Sequence, residues 1–320
     1  SSYPAARSQV EALMAARKVT REFGSVPWGD GVPKSSLDGL RESVIPENVF
    51  DRVRRGEMTE RELRENYGVR RGERLDGVGL LKRHGQMRKG QRFFSTSHVA
   101  ALPLLARLPD AAAADVNAYV GSLKNLGISN AELGDVPGEP HPAFARYDGH
   151  LLFEERLAEF FDGAALAHAR AELATFLKQA LDGRRPEPYY ALLLADGDRM
   201  GQAIDHVSSA RGHRKLSQTL AGFAGEARDT VQAHGGSLVY AGGDDVLAFV
   251  PLHRVLSCAS VLARQFAERM DAYPTAAGLK PTLSVGIAVA HHIDPLSDAL
   301  ALARRAERAA KVTRNALAVT

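Results

Sequence analysis

Asp244 and Asp245, adjacent in Ala241-Gly242-Gly243-Asp244-Asp245, are the residues of this 320-residue chain whose type and spacing point most directly to chemistry. Two neighbouring carboxylates make poor core. Held on a glycine turn, they offer hard oxygen ligands to Mg²⁺ or Mn²⁺. Their flanks, Ser237-Leu238-Val239-Tyr240 and Val246-Leu247-Ala248-Phe249-Val250, read as two strands. Strand runs joined by a Gly-Gly turn signal a β-hairpin, because the turn needs residues that tolerate positive φ. The pattern predicts a hairpin with Asp244 and Asp245 at its tip. An ordinary solvated acidic turn has the same pattern.

A second acidic turn follows Tyr189-Tyr190-Ala191-Leu192-Leu193-Leu194-Ala195, in Asp196-Gly197-Asp198-Arg199-Met200-Gly201. An uncharged run ending in such a turn reads as a central strand covered on both faces. Asp196 and Asp198 then sit where the strand exits toward a helix, the end where open α/β sheets place ligands. With this strand beside the hairpin, Asp196, Asp244 and Asp245 converge, and carboxylates that close need one or two cations to offset their repulsion. The competing reading of Asp196 and Asp198 is a helix N-cap, a position Asp fills well.

The elements that must position these turns follow from periodicity. Leu216, Leu220, Phe223, Ala227 and Val231 recur at helical spacing, as do Val255, Ala259, Leu262, Phe266 and Met270. Thr282 to Val289 alternates as a strand, with Leu283, Val285, Ile287 and Val289 expected on the core face. The opposite face, Thr282, Ser284, Gly286 and Ala288, is small enough for a chain segment or ligand to approach closely. A last helix carries Leu296, Leu300, Ala303, Ala306 and Ala310, and Asn315 to Thr320 reads as one more strand. The order β, helices, β-hairpin, helix, β, helix, β predicts an α/β (α+β) ferredoxin-like palm with an added strand. Lys311 and Arg314 end the last helix. They suit a helix C-terminal dipole, and they also suit the phosphates of a nucleotide held by metals.

Together these residues resemble the nucleotide-cyclase and polymerase palm group. Leu194 to Gly201, Gly242 to Asp245 and Ser284-Val285-Gly286-Ile287 resemble the large subunit of type III CRISPR effector complexes, in its III-B-like branch. Upstream segments look like the same family: Ser35 to Ile45, Arg74 to Arg83, Ser95 to Ala100 and Tyr147 to Phe153. The resemblance implies a palm that converts ATP into cyclic oligoadenylates in antiviral defence. It implies a two-metal Mg²⁺ or Mn²⁺ site at Asp196, Asp244 and Asp245, which are also the catalytic residues. Gly197, Asp198, Gly242, Gly243, Ser284, Lys311 and Arg314 are implied at the nucleotide, with the Gly197 backbone an extra metal ligand and Asp198 a weaker one. It also implies a cytoplasmic protein whose partners are ATP, the other effector subunits, and guide and target RNA reached through the complex. The chemistry suits the residues. A 3′-hydroxyl attacks an α-phosphate, pyrophosphate leaves, and two cations roughly 3.5–4 Å apart activate one oxygen and neutralise the other. Such chemistry needs no side-chain nucleophile, and the lone Cys258 lies in an apolar helical pattern and reads as core.

The whole chain bounds this reading. A hydrophobic content of 45% supports real cores, no run of 18 apolar residues predicts a membrane span, and a single Cys excludes an intrachain disulfide. The start, Ser1-Ser2-Tyr3-Pro4, lacks an initiator Met and a signal-peptide core. Net charge is only +3, yet residues 51–92 hold 13 Lys and Arg against 7 Asp and Glu, a surface for RNA or partner subunits or simply a solvated basic face. The layout predicts a basic region over 1–105, opening with a helix near 5–22 and a Gly/Pro-rich loop at 24–36. A helical linker follows over 106–180, interrupted at Pro137 to Pro142, and then the palm over 181–320. The first region resembles the zinc-finger region of the family without its ligands, so no zinc is expected.

Departures from the family pattern sharpen the expectation. No His-Asp dipeptide occurs, so nuclease activity of the family's His-Asp type is not predicted. A second palm and a C-terminal helical domain are not evident, and the chain reads as a fragment or reduced member. His291-His292 with Asp294 superficially resembles a metal cluster, but adjacent strand residues face opposite ways, favouring a polar loop. His98 reads as part of a capped helix start. Two alternatives stay open: a diguanylate or adenylate cyclase-type palm enzyme, and a non-catalytic scaffold binding RNA and protein.

Overall fold

Leu193, Ala195, Val246, Ala248, Val285 and Ile287 alternate with Tyr190, Leu192, Phe249, Ala288 and Ala290 along strands that a computed structural model of the chain joins into one five-stranded sheet. The structure describes residues 2–20, 31–37, 39–85, 95–134, 144 and 147–320. The strands are β1 (Tyr189–Asp198), β2 (Ser237–Gly242), β3 (Asp245–Val250), β4 (Thr282–His291) and β5 (Leu317–Val319), in the order β2-β3-β1-β4-β5. β1 is central and antiparallel to both neighbours, and β5 runs parallel to β4. Helices α1 (Met200–His206) and α2 (Ala210–Ala233) follow β1. Helix α3 (Val255–Met270) follows the hairpin, and α4 (Leu296–Thr313) links β4 to β5. This is the expected palm order with its added strand.

Side chains alternate across each strand, so the two faces bury against different partners. One face (Ala191, Leu193, Ala195, Val250, Leu283) packs on Leu216, Phe223 and Val231 of α2 and on Cys258, Leu262 and Phe266 of α3. The other packs on Ala299 and Ala303 of α4 and on the helical segment before the sheet, through residues such as Leu151, Leu173 and Phe176. β4 shows why its second face is small. At Gly286 a Cβ would lie 2.2 Å from the Glu307 backbone nitrogen and 2.6 Å from the Ala303 carbonyl. The close neighbour that the small-residue stripe anticipated is therefore α4. Val289, expected in the core, is only half-buried.

The chain forms two compact units, residues 9–91 and residues 1–8 with 92–320. The expected helix near 5–22 is Tyr3–Val19 and buries none of its residues. In the unit 9–91, short helices close over Ile45, Phe50, Leu63, Val69 and Leu75. Much of its positive charge is paired there: Arg74 and Arg54 with Glu47, Arg83 with Glu73, and Arg41 with Asp76. In the other unit the helical segment includes Thr96–Leu105, Ala113–Asn125 and Gly163–Leu181. Residues 24–30 of the glycine- and proline-rich loop, the interruption at 137–142 and the basic residues of 86–92 lie outside the described residues. Among the described residues no helix is long and apolar enough to cross a membrane.

Candidate functional site

The Asp-Gly-Asp spacing puts Asp196 and Asp198 on one face of β1, the face that α4 covers. The β1–β3 register pairs Ala195 with Val246, so its next step sets Asp196 opposite Asp245 across the strands. The hairpin closes at the Gly242–Asp245 pair, leaving Gly243 (φ 66°) and Asp244 as a two-residue tip. Gly197 is needed for close approach, since a Cβ there would lie 2.7 Å from the side chains of both Asp244 and Met200. The structure thus gathers Asp196, Gly197, Asp244 and Asp245 at the exit of the central strand.

Their electrostatics are those of an overcrowded carboxylate cluster. Burial, then a hydrogen bond with Asp196 and the charges of Asp196 and Asp244, pushes the Asp245 carboxyl up to about 7. Burial and then the Asp196 charge raise Asp244, against the pull of its own and Gly197's backbone N–H groups and of Lys311. Glu307 of α4 is raised by burial and then by Asp196, a further carboxylate facing the cluster that sequence reasoning did not select. Lys311 is a cation that answers all three. The Lys311 ammonium donates to the Gly197 carbonyl at 2.8 Å, pairs with Asp196, and stands 3.7 Å from Asp198.

Asp198 and Ser284, expected at a nucleotide, are placed inside the fold. Both are buried. Asp198 accepts hydrogen bonds from the Ser284 hydroxyl at 2.9 Å, the Thr282 hydroxyl at 2.8 Å and the Asn315 backbone N–H at 2.9 Å. These bonds hold its oxygens inside the fold, so it ties β1, β4 and the turn into β5 together. The N-cap reading fails for both aspartates. Arg199, with left-handed φ of 61°, precedes α1 and makes no side-chain cap. Gly242 lies under the Tyr240 ring, whose hydroxyl would sit 2.2 Å from an added Cβ. Arg314, just past α4 with φ 62°, is exposed and makes its backbone bond to the Ala310 carbonyl.

The histidines behave differently from their strand expectation. β4 ends at His291, and the chain turns there, so the rings of His291 and His292 stack with centroids 4.8 Å apart instead of facing opposite ways. Glu155, His291 and His292 each bring one ligand atom within 4.8 Å of the others. Both His292 nitrogens are occupied, by the Ser97 hydroxyl and by Glu155 at 2.9 Å each, and Phe153 lies against the ring. Asp294 accepts the His291 backbone N–H. His98 sits in the first turn capped by Ser95 and accepts the Gly149 N–H. Cys258 is buried, and burial pushes its thiol up to about 12.

A central strand ending in acids, a following acidic hairpin and a helix laid across one face define a palm domain. Residues 189–318 match the family model described as Cas10/Cmr2, second palm domain. The CRISPR system Cmr subunit Cmr2 of Pyrococcus furiosus is 34% identical over 159 residues, covering 42% of this chain and 18% of that protein. Two solved structures share the fold over 95% of this chain. They are a type III-B Cmr-beta complex bound to cognate target RNA (TM-score 0.59, 14% identity, 47% of that chain) and its apo state (TM-score 0.55, 15% identity, 46% of that chain). The chain therefore spans under a fifth of the curated relative and about half of each structural one.

Proposed function

We propose that this palm carries out metal-dependent nucleotidyl transfer, joining ATP into cyclic oligoadenylate as part of the large subunit of a type III CRISPR effector. The observation that carries the reading is the convergence of Asp196, Asp244 and Asp245 at one strand exit, with Asp245 and Asp244 both pushed toward protonation. Carboxylates so crowded fit divalent cations, whose charge offsets the repulsion that the bare cluster suffers. The donors are hard oxygens, the class that Mg²⁺ and Mn²⁺ prefer.

In this reading Asp196, Asp244 and Asp245 hold the metals, with the Gly197 carbonyl as an added donor. When bound, the cations supply charge neutralisation at the attacking 3′-hydroxyl and at the leaving pyrophosphate. Gly243, with nothing within 4 Å of an added Cβ, leaves its backbone open to a triphosphate, and Gly242 adjoins it beneath the Tyr240 ring. Lys311 is the phosphate partner nearest the cluster, and Arg314 a second one at the rim. Asp198 and Ser284 act from beneath, fixing the strand that presents Asp196. Residues 106–180 serve as a helical linker, and residues 1–105 as the region that meets partner subunits or the guide and target RNA.

The test is to incubate the full chain with ATP or GTP and Mn²⁺ and identify products by mass spectrometry. Cyclic oligoadenylates support the proposal. Cyclic di-GMP made from GTP would point instead to a diguanylate cyclase.

A further inference from the structure

Lys311 occupies donors that the proposed site needs. Its ammonium is bonded to the Gly197 carbonyl at 2.8 Å and paired with Asp196, two of the oxygens assigned to the metals. Its side chain is about one-quarter exposed, and that of Asp196 about one-third, so the pair is open to exchange with solvent ions. Asp198 lies 3.7 Å from the same ammonium on the interior side, with its own oxygens held by Ser284, Thr282 and the Asn315 N–H. The lysine thus stands between a buried, hydrogen-bonded carboxylate and a partly exposed one.

We propose that Lys311 is a built-in counter-ion for the metal-free cluster, displaced from Asp196 and the Gly197 carbonyl when a divalent cation binds. This inference rests on the reading of Asp196, Asp244 and Asp245 as metal ligands. A single ammonium offers three hydrogen bonds and one charge. It satisfies the ligand oxygens of one edge of the cluster while leaving Asp244 and Asp245 to repel each other. A divalent cation brings twice the charge to the same oxygens. Released from them, the lysine remains tethered near Asp198 by charge and by the last turn of α4, and is free to face a phosphate. Metal entry and phosphate capture are then coupled through one side chain: the cation displaces the ammonium, and the displaced ammonium adds to nucleotide binding.

The coupling makes a prediction that a merely structural lysine does not. In the metal-free chain, Lys311→Met leaves Asp196 without its counter-ion and lowers the melting temperature. At saturating Mn²⁺ that loss shrinks or disappears, because the wild type has also given up the contact. Mn²⁺ binding without nucleotide, read by the electron paramagnetic resonance signal of the free ion, tightens by up to about fivefold in the variant, the scale of a partly exposed ion pair. ATP binding in the presence of Mn²⁺ weakens. An equal stability loss with and without Mn²⁺, or Mn²⁺ affinity unchanged or weakened in Lys311→Met, overturns the counter-ion role. Asp244→Asn with Asp245→Asn separates the two ideas: if that variant binds Mn²⁺ as the wild type does, the metal-site reading itself fails.

Discussion

Gly286→Ala probes how the last helix is held over the site. Gly286 has no positive φ, so alanine fits the backbone of β4 and the cost is purely steric. The new Cβ would lie 2.2 Å from the Glu307 nitrogen, 2.6 Å from the Ala303 carbonyl and 2.7 Å from the Glu307 Cα. All three are backbone atoms of α4, which cannot rotate aside, so the helix must lift by about 1 Å. Overpacking of this kind costs about 1–3 kcal/mol, and a backbone obstacle belongs at the upper end. Alanine recovers at most about 1 kcal/mol of that by restricting the unfolded chain. The net expectation is a loss of about 2 kcal/mol. For a unit of this size that is a melting temperature roughly 4–8 °C lower. Lys311 lies one helical turn beyond Glu307, so lifting α4 also withdraws the ammonium from Asp196, and Mn²⁺ affinity changes with it. Thermal unfolding followed by circular dichroism checks the first effect. Gly225→Ala is the control: it sits in α2 with no atom within 4 Å of an added Cβ, and should stabilise by about 0.5–1 kcal/mol. A Gly286→Ala protein that melts with the wild type would refute the close-approach account.

Two further expectations concern titration and reactivity. Asp245 holds its proton up to about pH 7 in the folded chain and loses it near 4 when unfolded. The folded state therefore binds the extra proton between these values, and its stability contribution is present below pH 4 and lost as pH rises through 7. Relative to Asp245→Asn, the metal-free wild type should weaken progressively from pH 4 to pH 8, and Mg²⁺ should narrow the gap. A pH-independent difference in melting temperature contradicts this. Cys258, buried in α3 with its thiol pushed up to about 12, should resist a disulfide reagent such as DTNB in the native chain and react in step with urea unfolding. Stoichiometric labelling of native protein would show that α3 does not pack as described.

The palm was legible because its signals are local. The charge-free run into Asp196, the Gly-Gly turn and the alternation from Thr282 to Val289 each announce an element within a few residues, and the order of those elements implies the topology. The stripe of small residues on β4 even indicated a close neighbour, though not that α4 was that neighbour. What sequence could not supply was depth. Asp196 and Asp198 share a face by parity, yet one ends at the rim and the other beneath β4 and β5, because Ser284, Thr282 and the Asn315 N–H converge only after the sheet closes. Glu307 has no motif of its own; its place at the cluster follows from α4 crossing Gly286. The pairing of His292 with Ser97 and Glu155 joins residues more than 130 positions apart, and no spacing rule reaches that far.

The central claim is that Asp196, Asp244 and Asp245 form one metal site serving nucleotidyl transfer. The most direct measurement compares ATP consumption and products, with Mn²⁺ present, for the wild-type chain and for Asp244→Ala combined with Asp245→Ala. Half-buried carboxylates that repel one another contribute little stability, so the variant should keep its circular dichroism spectrum. The account predicts cyclic oligoadenylate from the wild type and none from the variant. No consumption by the wild-type chain, or equal consumption by both, contradicts it.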